Sequence, residues 1–204
     1  MKSGDDDLWP AWAEQSIDVV DYVPAWVDAG RAEGQRLQQL LDPWLSGPVE
    51  HIGSTAVPGL AAKPIIDLQA PVPELGIAEV VASTLAPYGW HYVDPDLDGR
   101  AHRRFYVKAS GDQRVAHLHL MLTGHPRLFE QRAFRDALVA DPDLTRAYAT
   151  LKIGLAREYR FDRETYTAAK ADFVRSVLER GARAPGVRAT TREHPERENG
   201  APGR

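Results

Sequence analysis

Asp67 sits inside an apolar run, Ile65-Ile66-Asp67-Leu68-Gln69. A lone charge in a buried strand is costly, so this carboxylate calls for a metal ion, a cation or a network of donors. Upstream, Gly53-Ser54-Thr55 breaks the apolar run Val49 to Ile52. Glycine lets backbone approach an anion, and exposed amides with the Ser54 hydroxyl can donate to phosphate oxygens. A tight structural turn is the plainer meaning of the same residues. Lys63 stands just before the Asp67 strand, where it can meet an anion lying between the turn and Asp67, or can be a solvated strand end. Downstream, His117 and His119 have strand spacing, which projects both imidazoles to one side. Neutral imidazole suits Zn, Fe, Mn or Ni, and with Asp67 the pair makes a set of two histidines and one carboxylate. The same histidines can instead serve as donors or acid–base groups facing a ligand, or as sheet residues bonded to their neighbours.

Positioning these groups requires strands. The second run alternates, with Ile66 and Leu68 on one face and Ile65, Asp67 and Gln69 on the other. Residues 103–109 and 114–122 read as a hairpin around Ser110-Gly111-Asp112-Gln113. In its second strand Ala116, Leu118, Leu120 and Leu122 share one face, and Val115, His117, His119 and Met121 the other. If both strands join one sheet, Asp67, Gln69, His117 and His119 line a single face. Arg103 and Arg104 open the first hairpin strand; alternation lets one of them face the site, and Arg104 is assigned that place. Helices are expected over residues 24–45, 73–87, 126–140, 144–159 and 163–180, a short strand over Trp90 to Val93 and a polar loop over 94–101. Two echoes, Tyr148-x-x-x-Lys152 and Tyr166-x-x-x-Lys170, each put a lysine one helical turn from a tyrosine.

Composition sets the bounds. Of 204 residues, 43% are hydrophobic and 26% charged, which is the balance of a soluble globular protein. The net charge of -4 gives no general basic surface for nucleic acid. Zero cysteines exclude disulfides and thiolate metal sites. No apolar stretch approaches a membrane span, and the acidic start MKSGDDDLWP is no secretory signal, so a cytoplasmic location is expected. Residues 1–16 read as a flexible extension able to dock through Trp9 and Trp12, residues 17–183 as one domain, and 184–204 as a disordered tail.

The string HIGSTAVPGLAAKPIIDLQAPV from His51 resembles the signature of the GrpB family, small bacterial proteins with a nucleotidyltransferase-like fold. Tyr22 to Trp26, HLHLML around His119, FRDALVADPDLTRAYATLKIGLA from Phe134 and DRETYTAAKADF from Asp162 extend the resemblance. It implies an α/β (α+β) fold: a nucleotidyltransferase-like mixed sheet core followed by a C-terminal helical bundle, with the ligand between them. In nucleotidyltransferases of the polymerase-beta type, two carboxylates one residue apart hold Mg²⁺, which neutralises charge on the transferred phosphate. Gly53, Ser54 and Asp67 match that layout. Gln69 stands where the second carboxylate is expected; its carbonyl can coordinate but adds no charge.

The resemblance thus points to a transferase-like enzyme acting on a nucleotide or phosphorylated small molecule with Mg²⁺. Asp67, Ser54 and His119 are its catalytic candidates. Gly53, Ser54, Thr55, Lys63, Gln69, Arg104, Lys152 and Lys170 are its ligand-binding candidates, and the lysines form a cationic wall unless their tips simply reach water. A non-catalytic binding or regulatory module is the alternative, in a nucleotide or coenzyme A setting, because relatives of the family occur fused to dephospho-CoA kinase. A third reading is a metal-dependent enzyme holding another divalent ion through Asp67, His117 and His119.

Overall fold

The structure, a computed structural model, describes residue 12 and residues 15–183. The expectations for the remainder of residues 1–16 and for the tail from Ala184 lie outside the described residues. Within them, the elements run α1 (Ala25–Leu41), β1 (Glu50–Ile52), β2 (Ile66–Val72), α2 (Ala78–Leu85), β3 (Trp90–Val93), α3 (Pro95–Asp98), β4 (Arg103–Ser110), β5 (Gln113–Leu122), α4 (Pro126–Ala140), α5 (Pro142–Glu158), α6 (Arg163–Ala168) and α7 (Ala171–Arg183).

The five strands form one mixed sheet in the order β1-β2-β5-β4-β3. Only β2 and β5 pair in parallel; the other neighbours are antiparallel. One face is apolar because alternate residues of each strand are. Ile66, Leu68, Ala70, Leu118, Leu120 and Tyr106 pack there with Trp26, Leu37 and Leu41 of α1 and Val81 and Leu85 of α2. Leu68, Leu118 and Leu120 are fully buried, each contributing roughly 1.5–3 kcal/mol. Helix α1 lies close on this layer: a β-carbon added at Gly30 would sit 2.1 Å from the His51 ring.

The C-terminal helices pack on the linker between β1 and β2. Val57 and Leu60 join Leu138 of α4 and Tyr148 of α5, with Phe173 of α7 against them. Ile17 packs with Ala156 of α5 and Tyr166 of α6. Trp12 docks too: its ring lies 5.7 Å from His91 and 5.0 Å from the Arg114 guanidinium, and its carbonyl accepts from Arg114 Nε at 2.7 Å.

Four boundaries differ from the sequence reading. The first helix stops at Leu41, and residues 42–44 form a tighter turn that starts where Pro43 removes a donor. The helix expected over 73–87 begins only at Ala78, after Gly76. The loop 94–101 contains the one-turn α3, capped by Asp94, whose side chain accepts from Asp96 N at 2.8 Å. The last helix is two pieces, α6 and α7, broken at Ala169-Lys170, and it runs past Gly181 to Arg183.

Candidate functional site

The parallel register of β2 and β5 sets Asp67 beside His117 and Gln69 beside His119, on the sheet face opposite α1 and α2. His117 Nδ1 donates to Asp67 Oδ1 at 2.9 Å, and His119 Nε2 lies 3.8 Å from the same oxygen. One ligand-type atom from each of the three residues lies within 4.8 Å of the others. Phe105, opposite His119 in β4, walls the pair with its ring 5.0 and 5.2 Å from the two imidazoles. The side chains keep modest access: 30% of Asp67, 14% of His117 and 11% of His119.

Burial pushes the Asp67 carboxyl up, but the hydrogen bonds and charges of His117 and His119 outweigh it and leave Asp67 well below the usual carboxylate range. Burial lowers His117, against the opposing pull of Asp67. Burial also brings His119 down to about 4, and the Arg103 charge adds to the effect. At neutral pH the group is therefore one carboxylate and two neutral imidazoles. The tautomers follow from the partners. Asp67 only accepts, so His117 carries its proton on Nδ1, and its Nε2 lone pair is buried with no partner among the described residues. Arg103 Nη1 contacts His119 Nδ1 and can only donate, so the His119 proton sits on Nε2. Arg103 is itself held by Asp98, through Nε at 2.8 Å and Nη2 at 2.5 Å.

The turn after β1 is shaped by Asp67. Gly53 has φ +72°, and a β-carbon there would lie 2.6 Å from Asp67 Oδ2. Gly53→Ala is expected to destabilise the protein by roughly 1–3 kcal/mol, because the side chain meets both an unfavourable backbone and the carboxylate. Thermal melting checks this, and an unchanged melting temperature would mean that the turn relaxes freely. Ser54, half-buried, begins the next short turn, its carbonyl accepting from Val57 N at 3.2 Å. Thr55 is buried; its hydroxyl donates to Ile65 O at 3.0 Å and lies 3.0 Å from His51 Nε2. It therefore fastens the linker and is not available as a ligand group.

Three lysines converge here from different elements. Lys63 precedes β2, Lys152 is on α5, and Lys170 lies between α6 and α7. Burial is the main cause that lowers all three amines, to about 8, 7 and 8. Neighbouring cations add to it: Arg163 and Arg114 at Lys63, Lys170 and Lys63 at Lys152, and Lys63 at Lys170. Asp67 is the acidic group that opposes the shift in each case. Lys152 is 2% exposed and donates to Ala61 O at 2.5 Å, so its tip does not reach water.

One assignment changes. Arg104 pairs with Leu120 and so points to the face that α2 covers, bonding to Arg103 O at 2.9 Å; strand alternation gives the site Arg103 instead. Gln69 is on the expected face and fully buried, and its carbonyl oxygen has no partner among the described residues. Its amide nitrogen donates to Glu50 Oε2 at 2.9 Å and Leu128 O at 3.2 Å, and Glu50 is clamped by Arg132 at 2.6 Å. Glu50 is buried in part, yet Arg132 and Gln69 hold its carboxyl below the ordinary value. No second free carboxylate accompanies Asp67 among the described residues. A donor set of two nitrogens and one oxygen does not fit Mg²⁺, which demands oxygen ligands; it fits Zn²⁺, Mn²⁺, Fe²⁺ or Ni²⁺. Sequence reasoning chose Arg104 over Arg103 and missed Arg163. Arg163 is three residues before Tyr166, and only the turn of α6 brings it beside Lys63.

A cavity of about 430 Å³ lies elsewhere, between α1, β1 and α4 against Gly30, Gln38, His51 and Arg135. A notch of about 80 Å³ adjoins Lys63, Pro64 and Arg163.

Residues 16–180 match the family described as GrpB protein. The chain belongs to the GrpB family. It is 35% identical over 184 residues to a UPF0157 protein of Pseudomonas aeruginosa, covering 88% of this chain and 74% of that one. It superposes on the crystal structure of the conserved protein GrpB from Enterococcus faecalis with a TM-score of 0.70 and 32% identity, over 80% of this chain and 96% of that one. Other GrpB relatives are longer: the chain spans 49% of a UPF0157 protein of Bacillus subtilis and 38% of a dephospho-CoA kinase of Mycolicibacterium paratuberculosis, at 28% identity to each. A distant likeness to nucleotidyltransferases is present as well. A cytoplasmic RNA terminal U-transferase aligns at TM-score 0.46 and 16% identity, over 69% of this chain and 42% of that one, too remote to carry a function. No helix among the described residues is long and apolar enough to cross a membrane.

Proposed function

We propose that this GrpB-family chain binds a phosphorylated small molecule, nucleotides included, where the Asp67 face of the sheet meets α5, α6 and α7. Asp67, His117 and His119 would hold a divalent transition-metal ion beside it. The supporting observation is the convergence of Lys63, Lys152 and Lys170 on one carboxylate. Buried cations are retained when they are paired or when a ligand supplies the missing charge. Asp67 cannot serve all three, because its charge already orients the two histidines. When bound, the ion would supply charge neutralisation at a phosphoryl oxygen. The protein's own part is to fix the donors. Asp67 orients both imidazoles, and Gly53 lets the first turn close on the carboxylate. On metal binding the protons that face Asp67 on His117 Nδ1 and His119 Nε2 would give way to the ion, with Arg103 releasing His119 Nδ1. Ser54, next to Gly53, is the hydroxyl offered to a phosphate oxygen.

Gln69 in place of a second carboxylate beside Asp67 favours a second reading, a binding module without phosphoryl transfer. One carboxylate cannot hold the two ions of a two-metal displacement. Calorimetric titration with ATP and pyrophosphate, in chelator and then with Zn²⁺, Mn²⁺ or Mg²⁺, tests both. Binding is expected without metal, tighter with Zn²⁺ or Mn²⁺ and little changed by Mg²⁺. No binding of either anion at millimolar concentration would reject the proposal. Turnover of bound ATP would reject the second reading.

A further inference from the structure

The two Tyr-x-x-x-Lys echoes acquire a meaning in three dimensions. Lys170 Nζ lies 4.2 Å from the Tyr166 ring centroid, and Lys63 Nζ lies 5.4 Å from the same centroid. Lys152 Nζ lies 4.9 Å from the Tyr148 ring. Both rings are fixed by burial, with Tyr166 2% and Tyr148 6% exposed, and Tyr148 also stacks on Phe173 at 5.0 Å. An aromatic face attracts an ammonium group through its quadrupole without cancelling the charge. A carboxylate in the same place would have neutralised each lysine. The rings thus hold three cations in position without cancelling their charge, and Lys152 donates to Ala61 O as well. Arg163 joins them: it acts on Lys63, its Nη2 donates to Gln15 O, and its Nε is buried without a partner among the described residues.

We propose that Tyr166 and Tyr148 are positioning residues of an anion clamp, with Lys63 and Lys170 seated on one ring and Lys152 on the other, and that the clamp takes a diphosphate group in preference to a single phosphate. The inference rests on the anion-binding reading above. With a bound anion keeping the amines protonated, three lysines and Arg163 against the single Asp67 carboxylate leave three positive charges, 4 minus 1. A phosphate monoester brings at most about two negative charges and leaves at least one cation unmet, whereas a diphosphate matches the excess. Two separate ring seats also suit two phosphoryl groups.

The test titrates the full chain, calorimetrically, with inorganic phosphate and with pyrophosphate. Pyrophosphate is expected to bind at least about tenfold more tightly than phosphate. Tyr166→Leu is expected to lower pyrophosphate affinity about tenfold, and Tyr166→Phe, which keeps the ring, to restore it. A thermal melt shows whether Tyr166→Leu folds. If it does not, Lys170→Gln replaces it, with an expected loss of about tenfold for pyrophosphate and less for phosphate. Equal affinity for the two anions, or a folded Tyr166→Leu or Lys170→Gln that binds pyrophosphate as the parent does, overturns the clamp and leaves anion binding standing. Failure of both anions to bind overturns both.

Discussion

Asp67→Asn is expected to abolish transition-metal binding while leaving the fold nearly intact. Changes to groups that merely orient a metal ligand weaken binding by about 10–100-fold, so loss of the charged ligand itself is expected to cost about 100-fold or more. Asparagine keeps the shape that packs against Gly53 and keeps an oxygen for the His117 Nδ1 proton. The charge it removes also restrains three lysines. These amines already sit at about 7 to 8, and so they can shed protons instead of unfolding the chain. The melting temperature is accordingly expected to move by only a few degrees. Competition of Zn²⁺ and Mn²⁺ against a chromophoric chelator, with a melt on the same samples, reads both quantities. A variant that first loses roughly 3–5 kcal/mol of stability would show instead that Asp67 is a structural counter-charge.

The second large effect couples stability to function in opposite directions. Lys170→Met removes a buried amine and keeps its bulk. The ligand-free protein is expected to gain roughly 1–2 kcal/mol, or about 2–8 °C in melting temperature, and to lose anion affinity about tenfold. The pH dependence follows from the same shift. Folded Lys170 and Lys63 titrate at about 8 and Lys152 at about 7, against 10.5 ordinarily. From about pH 7 to 10.5 the unfolded chain therefore binds more protons than the folded one, and these groups make the ligand-free protein more stable as pH rises. Anion affinity falls over the lower part of the same window, as the ammonium groups lose their protons. Melts at pH 6.5, 8 and 9.5 should show a shallower rise for Lys170→Met than for the parent protein. Equal slopes would remove Lys170 from the set of strained cations.

Histidine titration works at the acid end. His117 and His119 stay neutral when folded, so an unfolded chain takes up more protons below about pH 6.5, and stability falls toward pH 4.

The sequence by itself determined which candidate residues share one sheet face. Period-two alternation in residues 66–72 and 114–122 put Asp67, Gln69, His117 and His119 together, because a strand offers its side chains only two directions. It also determined the Gly53 turn, the helical half and the family, since local spacing and a long signature survive without knowledge of packing. The choice between Arg103 and Arg104 was not local in that sense. It depended on the register of β4 against β5, which sets Arg103 opposite Met121 and Arg104 opposite Leu120. The fate of Gln69 was decided by Glu50 and Leu128, 19 residues before it and 59 after it, which claim its amide nitrogen. The lysines were decided in the same way. Spacing placed Lys152 and Lys170 beside their tyrosines, but an isolated amphipathic helix leaves such tips in water. Only the packing of α5, α6 and α7 over the linker at Ala61 and Lys63 drew them inside. There burial lowers their basicity, ring faces hold them in place, and one carboxylate is left to balance them.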